Sequence, residues 1–404
     1  MLVFWAPFWG GHRLPLLLLL GLGLYLHFLG RGWIPPGLPE RRWGLLFLLL
    51  ALPCLASATT SLAPRNSWTV VIALVLHYWV GLALLRGLRG NGHGAMAGWI
   101  GLVLLLWLAD GMVQRAFGVD LLGIPMNEGR VVGFFADNLH LGLFTMVLMP
   151  LLLWPLAERR PWLAVCAFAA LTGLAVLGGA RTNVVFALLV MLGLLVKLKA
   201  WRHRVALVLL CLAPVALVPF SPQLKSRTLE YDYGRLATVL SAGDTKGLFL
   251  ELDQLSSYRL VIWETAFRMA QDRPLLGVGP KAFDPVYGAY AHRETDPFLP
   301  GSQEGHRTFH AHQMYVSALA ETGLVGLMGL LVAIALCYRW YRKSPPDKRA
   351  AATPYAVCLA IIAFPINSQP VLFLGWWFPI VLLLLCGMLA ALDGEDAPPK
   401  PGQE

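Results

Sequence analysis

The chain has 404 residues, of which 57% are hydrophobic and 14% charged, and its mean hydropathy is +0.62. That balance excludes a soluble globular domain and describes an all-α polytopic membrane protein. The net charge of +9 does not describe a nucleic-acid binder, because the Lys and Arg residues gather in short connectors between apolar runs.

In chain order, Leu2–Trp9 is apolar but too short to cross a bilayer alone, which leaves room for a broken twelfth span there. Eleven runs are predicted to cross about 30 Å of hydrocarbon: 14–29, 44–62, 68–85, 96–113, 139–156, 162–179, 183–198, 205–220, 323–341, 354–370 and 375–392. The first resembles a signal peptide in length, but it lacks a clean small-residue cleavage site and is followed by a polytopic remainder, so it is read as retained. Basic residues mark alternate connectors: Arg41-Arg42, Arg86 with Arg89, Arg159-Arg160, Lys197 to Arg204, and Arg339 to Arg349. By the positive-inside rule these face the cytoplasm and the long polar segment faces the opposite side. All six cysteines lie in apolar runs, and no Cys/His grouping has zinc spacing.

Three zones follow, a membrane block over 1–220, an external segment over 221–311, and a return to the membrane over 312–392, before a polar tail over 393–404 that is expected to be disordered. Within the external segment, Leu255, Tyr258, Ile262, Thr265, Ala266 and Met269 repeat at helical spacing and predict a helix over 255–271. Asp272-Arg273-Pro274 ends it, since proline blocks continuation. Gly277-Val278-Gly279-Pro280 reads as a turn; without a third glycine or a preceding strand it is no nucleotide loop. The stretch 287–308 reads as polar loop.

Several cations stand on the side that the positive-inside rule disfavours. Arg181 lies in the connector 179–183, Arg115 and Arg130 in the loop 114–139, and Arg259 in the external segment. An arginine there either grips an anion at the membrane surface, for which its planar fork suits phosphate oxygens, or snorkels to headgroups and pairs locally. For Arg259 the local alternative is stacking on Trp263, one turn on. His312 stands where the polar segment re-enters the membrane. An imidazole can accept a proton near neutral pH without a metal, which suits general-base work on a hydroxyl; the plain alternative is a polar loop residue. His310 with His312 suggests a metal pair, but no carboxylate stands at matching spacing. Gln313 follows the histidine, and Gly323 and Gly326, three residues apart on one helix face, are expected to allow close helix packing that fixes its position.

These residues resemble the O-antigen ligase family. The resemblance is carried by Arg259-Leu-Val-Ile-Trp263, by Pro274-Leu-Leu-Gly277-Val-Gly279 with Phe283, and by His312-Gln313-x9-Gly323-x-x-Gly326 preceded by Ala320-Glu321-Thr322. Gly129-Arg130-Val-Val-Gly133-Phe134-Phe135 and Gly179-Ala-Arg181-Thr182 resemble two further patches, so the likeness runs from Arg130 to about Leu330. It implies an inverting, metal-independent glycosyltransferase of the C-type membrane class, without cofactor, in the bacterial inner membrane with its site facing the periplasm. The implied partners are an undecaprenyl-pyrophosphate-linked glycan donor and a lipid A-core acceptor, among membrane lipids. The implied roles are base for His312, and pyrophosphate binding for Arg181, Arg259 and Arg130. The family usually has twelve spans with both termini cytoplasmic; eleven spans put this N-terminus outside, so either a span is uncounted or the chain departs. Repeat-unit polymerases and pilin O-oligosaccharyltransferases share much of the region and remain rivals. A transporter is the rival of another class, set against by the scarcity of charge inside the spans, where Asp110 is almost the only acid.

Overall fold

The computed structural model describes residues 1–8, 11, 13–29, 37–136, 140–180, 182–211, 219–220, 225, 232–292, 296–299, 310–366 and 375–393. The chain forms α1 (Arg13–Leu24, continued by a π-helical turn Tyr25–Leu29), α2 (Leu38–Thr59), α3 (Pro64–Leu88), α4 (Gly92–Phe117), α5 (Leu141–Arg159), α6 (Pro161–Leu177), α7 (Thr182–Lys197) and α8 (Trp201–Cys211). The external segment holds α9 (Tyr233–Ser241), α10 (Thr245–Leu255), α11 (Arg259–Asp272) and α12 (Phe283–Tyr290), and the chain returns through α13 (Met314–Lys343), α14 (Pro346–Ile362) and α15 (Phe378–Asp393). Among the described residues the only β pairing is two isolated bridges in the loop after α4.

Each predicted run carries a helix, although the runs 205–220 and 354–370 extend past α8 and α14 into residues outside the described ones. Five helices, α2 to α5 and α13, are long and apolar enough to cross a membrane. The 22 residues of α2 reach about 33 Å at 1.5 Å each, which matches the hydrocarbon thickness. Residues 2–7 are turns, with Leu2 and Val3 buried in the main core, so no helical twelfth span lies in those residues. Outward faces are as apolar as inward ones: Leu17, Leu48, Leu52, Ile72, Trp99 and Leu102 are all exposed. In water such a surface would aggregate; against lipid tails it is the required one. The structure is that of an all-α polytopic membrane protein.

The molecule has two chemically distinct ends. At one, basic connectors meet acids and aromatics. Arg89 donates to both carboxylate oxygens of Glu40 at 2.8 and 2.9 Å, Arg42 lies 5.3 Å over the Trp340 ring, and Lys197 pairs with Glu158. At the other end, the loop joining α2 to α3 is tied to the external segment. Ser67 Oγ donates to Pro280 O at 2.8 Å, Leu62 N to Val278 O at 2.9 Å, and Arg273 to Thr60 O at 2.8 Å. A second, smaller core forms there from Val261, Ile262, Met269, Phe283, Ala311 and Ala320, among others.

Candidate active site

His312 sits two residues before α13 with φ +50°, in the left-handed region that costs a non-glycine residue about 1–3 kcal/mol. Its ring meets that of His310 edge-on, with centroids 4.1 Å apart. Burial, together with the neighbouring His312, pushes the His310 imidazole down to about 3, so His310 is neutral under ordinary conditions. Gln313 then caps the helix: its Oε1 accepts from Val316 N at 2.6 Å, and its Nε2 donates to Pro365 O at 3.2 Å. This satisfies one of the donors that a helix N-terminus leaves open, and it ties that terminus to the chain leaving α14. Tyr315 adds a second tie, donating to Ala363 O at 2.5 Å.

One helix face was the expected setting of Gly323 and Gly326, and here the geometry differs. Helix α13 is interrupted at Gly323, which has φ 65° and ψ −165°. The broken ladder is repaired by the segment 274–279, which lies alongside as a strap. Leu324 N and Val325 N donate to Pro274 O and Leu275 O at 2.8 and 3.2 Å, while Val278 N and Gly279 N donate to Ala320 O and Glu321 O at 2.9 Å each. A Cβ on Gly323 would lie 2.3 Å from the Leu275 backbone. Gly323 therefore admits a loop rather than a helix. Gly326 faces Thr322 of its own helix, and the glycine that admits a neighbouring helix is Gly329, where a Cβ would lie 2.3 Å from Leu49 O of α2. Buried Glu321 completes the junction, accepting from Phe283 N at 3.3 Å on its carboxylate and from Ser57 Oγ at 2.8 Å on its carbonyl.

The helix predicted over 255–271 is split. Leu255 ends α10, Ser257 and Tyr258 both take φ 60°, and Arg259 opens α11. Asp253 bridges the break: its carbonyl accepts from Tyr258 N at 2.7 Å and its carboxylate from Val261 N at 3.1 Å. Beyond the break the periodicity holds, since Ile262, Thr265, Ala266 and Met269 are buried and the helix stops at Asp272 before Arg273-Pro274. Trp263 Nε1 donates to Ala311 O at 2.9 Å. The helix that begins with Arg259 is thus bonded to the residue preceding His312.

Arg130 lies in the loop after α4, and two buried side chains of that helix shape the loop. Gln114 uses both ends of its amide: Oε1 accepts from Val132 N and Gly133 N at 2.8 Å each, and Nε2 donates to Ile124 O and Pro125 O at 3.1 and 3.3 Å. Asp110 accepts from Leu121 N at 3.0 Å and Phe134 N at 3.1 Å. The intramembrane acid thus organises a loop by accepting from two of its backbone N–H groups. Arg130 pairs with Glu128 at 3.6 Å and runs over Gly179, where a Cβ would lie 3.3 Å from its Cδ. Val131 N donates to Leu177 O at 3.2 Å. The loop carrying Arg130 and the connector leading to Arg181 are therefore packed together. Arg181 itself lies outside the described residues.

The residues fall into two groups, His312 with the Arg259 helix, and Arg130 with the 178–180 connector. Their convergence on one ligand is a matter for proposal. Among the same residues no cluster of three or more His, Cys, Asp or Glu side chains is disposed around a cation. Sequence reasoning had no route to Gln114 or to the strap, because both act through backbone groups distant in the chain.

Comparison with known proteins adds an independent line. Residues 165–331 match a family model described as O-Antigen ligase. This interval contains Arg181, Arg259, His312, Gly323 and Gly326, and it leaves Arg130 outside. Over 86 residues, 21% of this chain, the sequence is 31% identical to the exopolysaccharide production protein ExoQ of Rhizobium meliloti (strain 1021). The aligned stretch spans about a fifth of that relative, 19% of its length.

Proposed function

We propose, because the chain belongs to the O-antigen ligase family, that it transfers a glycan from a polyprenyl pyrophosphate carrier to an acceptor sugar at the outer face of the inner membrane. The preferred reaction joins O-antigen carried on undecaprenyl pyrophosphate to lipid A-core. The observation that carries this reading is the setting of His312, held at the outer end of a spanning helix by the Gln313 cap and bonded through Ala311 to the helix that starts at Arg259.

In this reading the His312 imidazole accepts the proton of the acceptor hydroxyl as its oxygen bonds to the donor's anomeric carbon. The bond from that carbon to the pyrophosphate oxygen breaks with its electron pair, and the configuration inverts. General-base assistance of this kind contributes about 10²–10⁴-fold. Arg181 and Arg259, with Arg130 beside them, hold the pyrophosphate and stabilise the charge it gains on leaving. Gln313 and Gly323 act by holding the histidine in place. No step requires a metal or cofactor.

Repeat-unit polymerisation is the second reading, favoured by the likeness to ExoQ, whose name records exopolysaccharide production. Deleting the gene and analysing the envelope separates the acceptors. Loss of ligation leaves polymerised, lipid-linked chains and a bare core. Loss of polymerisation leaves cores capped by single repeats, and loss of a pilin transferase leaves lipopolysaccharide unchanged.

A further inference from the structure

At the outer ends of α5 and α15 stands an aromatic group that lies outside the matched family interval and that the reaction above does not use. His140, the residue preceding α5, stacks nearly parallel on Trp376, with centroids 4.2 Å apart and planes 17° apart. Trp376 also packs on Phe144 at 6.0 Å and on Trp377 at 5.6 Å. Phe144 and Trp377 are fully buried while Trp376 is only half-buried. A large flat ring is therefore fixed in orientation from beneath and left accessible in part, whereas an indole serving only the core would be covered like its neighbour.

The group borders the loop that carries Arg130: Leu141, next to His140, packs where a Cβ on Gly133 would stand, 3.6 Å away.

We propose that Trp376, seated on His140, is the platform that receives a pyranose ring of the glycan during transfer. Sugar rings present faces of C–H groups that pack on indole, while their hydroxyls remain at the edge for hydrogen bonds. This inference rests on the glycosyl-transfer reading and adds to it a sugar subsite beside the loop that carries Arg130.

The test is binding, which needs no turnover. The chain in lipid nanodiscs is titrated with glycan-bearing undecaprenyl pyrophosphate and with bare undecaprenyl pyrophosphate. Trp376→Leu should weaken the glycan-bearing carrier about tenfold and the bare carrier less than about twofold, the scale of one lost aromatic contact. Trp376→Phe and His140→Phe, which keep flat rings, should retain most of the contrast. Equal weakening of both carriers in Trp376→Leu, or of neither, overturns the platform. The His312→Ala chain should show the wild-type contrast. A wild-type chain that shows it yet transfers nothing keeps the platform and sinks the transfer reading, so the two failures are distinguishable.

Discussion

A general base must be neutral before it can accept a proton, and two imidazoles stand together at the start of α13. His310, held near 3, is neutral but too weak a base to take a proton from an alcohol near neutral pH, which is why His312 is the one proposed for the role. The transfer rate of His310→Asn should therefore keep the acid limb of the wild-type pH profile, falling as pH drops; disappearance of that limb would move the base to His310. The same burial makes a stability prediction. In the unfolded chain His310 takes up a proton near the ordinary 6.5, whereas in the fold it resists until about 3. The unfolded state then binds more protons below pH 6.5, so stability falls on acidification from about 6.5 towards 4. A thermal melting midpoint that stays level over that interval would contradict the neutral burial of that ring. For the guanidinium groups, Arg181→Ala and Arg259→Ala should each lose transfer, with Lys restoring little because it lacks the paired donors; full rescue by Lys, read in the same transfer assay, would reduce them to point charges.

Helix α13 is broken on purpose. The interruption at Gly323 frees backbone groups that the 274–279 strap takes up, and each unmade bond in a buried site costs about 1–3 kcal/mol. Gly323→Ala meets both a left-handed φ and the Leu275 backbone, so it should lower the melting midpoint and abolish transfer together. Gly326→Ala meets chiefly the Thr322 side chain, which can turn, and should be milder. Similar loss from both in melting and transfer assays would argue against the strap. How far these elements were legible depends on the kind of signal. The stop at Asp272 was legible because proline acts on its immediate neighbours. The break before Arg259 was not, since Ser257 and Tyr258 are not residues whose types announce a left-handed backbone. The strap and the Gln114 amide pair groups distant in sequence, which periodicity cannot register, and His140 with Trp376 forms no motif at all.

For the whole molecule, the decisive pattern is the separation of two ends. Apolar run length made the membrane helices legible, five of them long and apolar enough to cross a bilayer, because hydrocarbon thickness imposes a simple rule. The residue types of the candidate site were legible through their spacing; their assembly was not, since it depends on the Trp263–Ala311 and Gln313–Pro365 contacts. The basic end is held by pairs such as Glu40 with Arg89, where the carboxylate is only 6% exposed. Removing the arginine would leave that charge buried alone, a loss of about 3–5 kcal/mol. Arg89→Ala should accordingly reduce the amount of folded protein recovered in detergent, as read by size-exclusion chromatography. The account joins this architecture to one chemical claim: an imidazole at the outer end of α13 activates an alcohol against a carrier pyrophosphate. Reconstituting the purified chain with lipid-linked donor and lipid A-core acceptor, in the presence of a chelator, measures that claim directly. The account predicts product with the wild-type chain and none with an equally well-folded His312→Ala chain; undiminished transfer by the variant would contradict it.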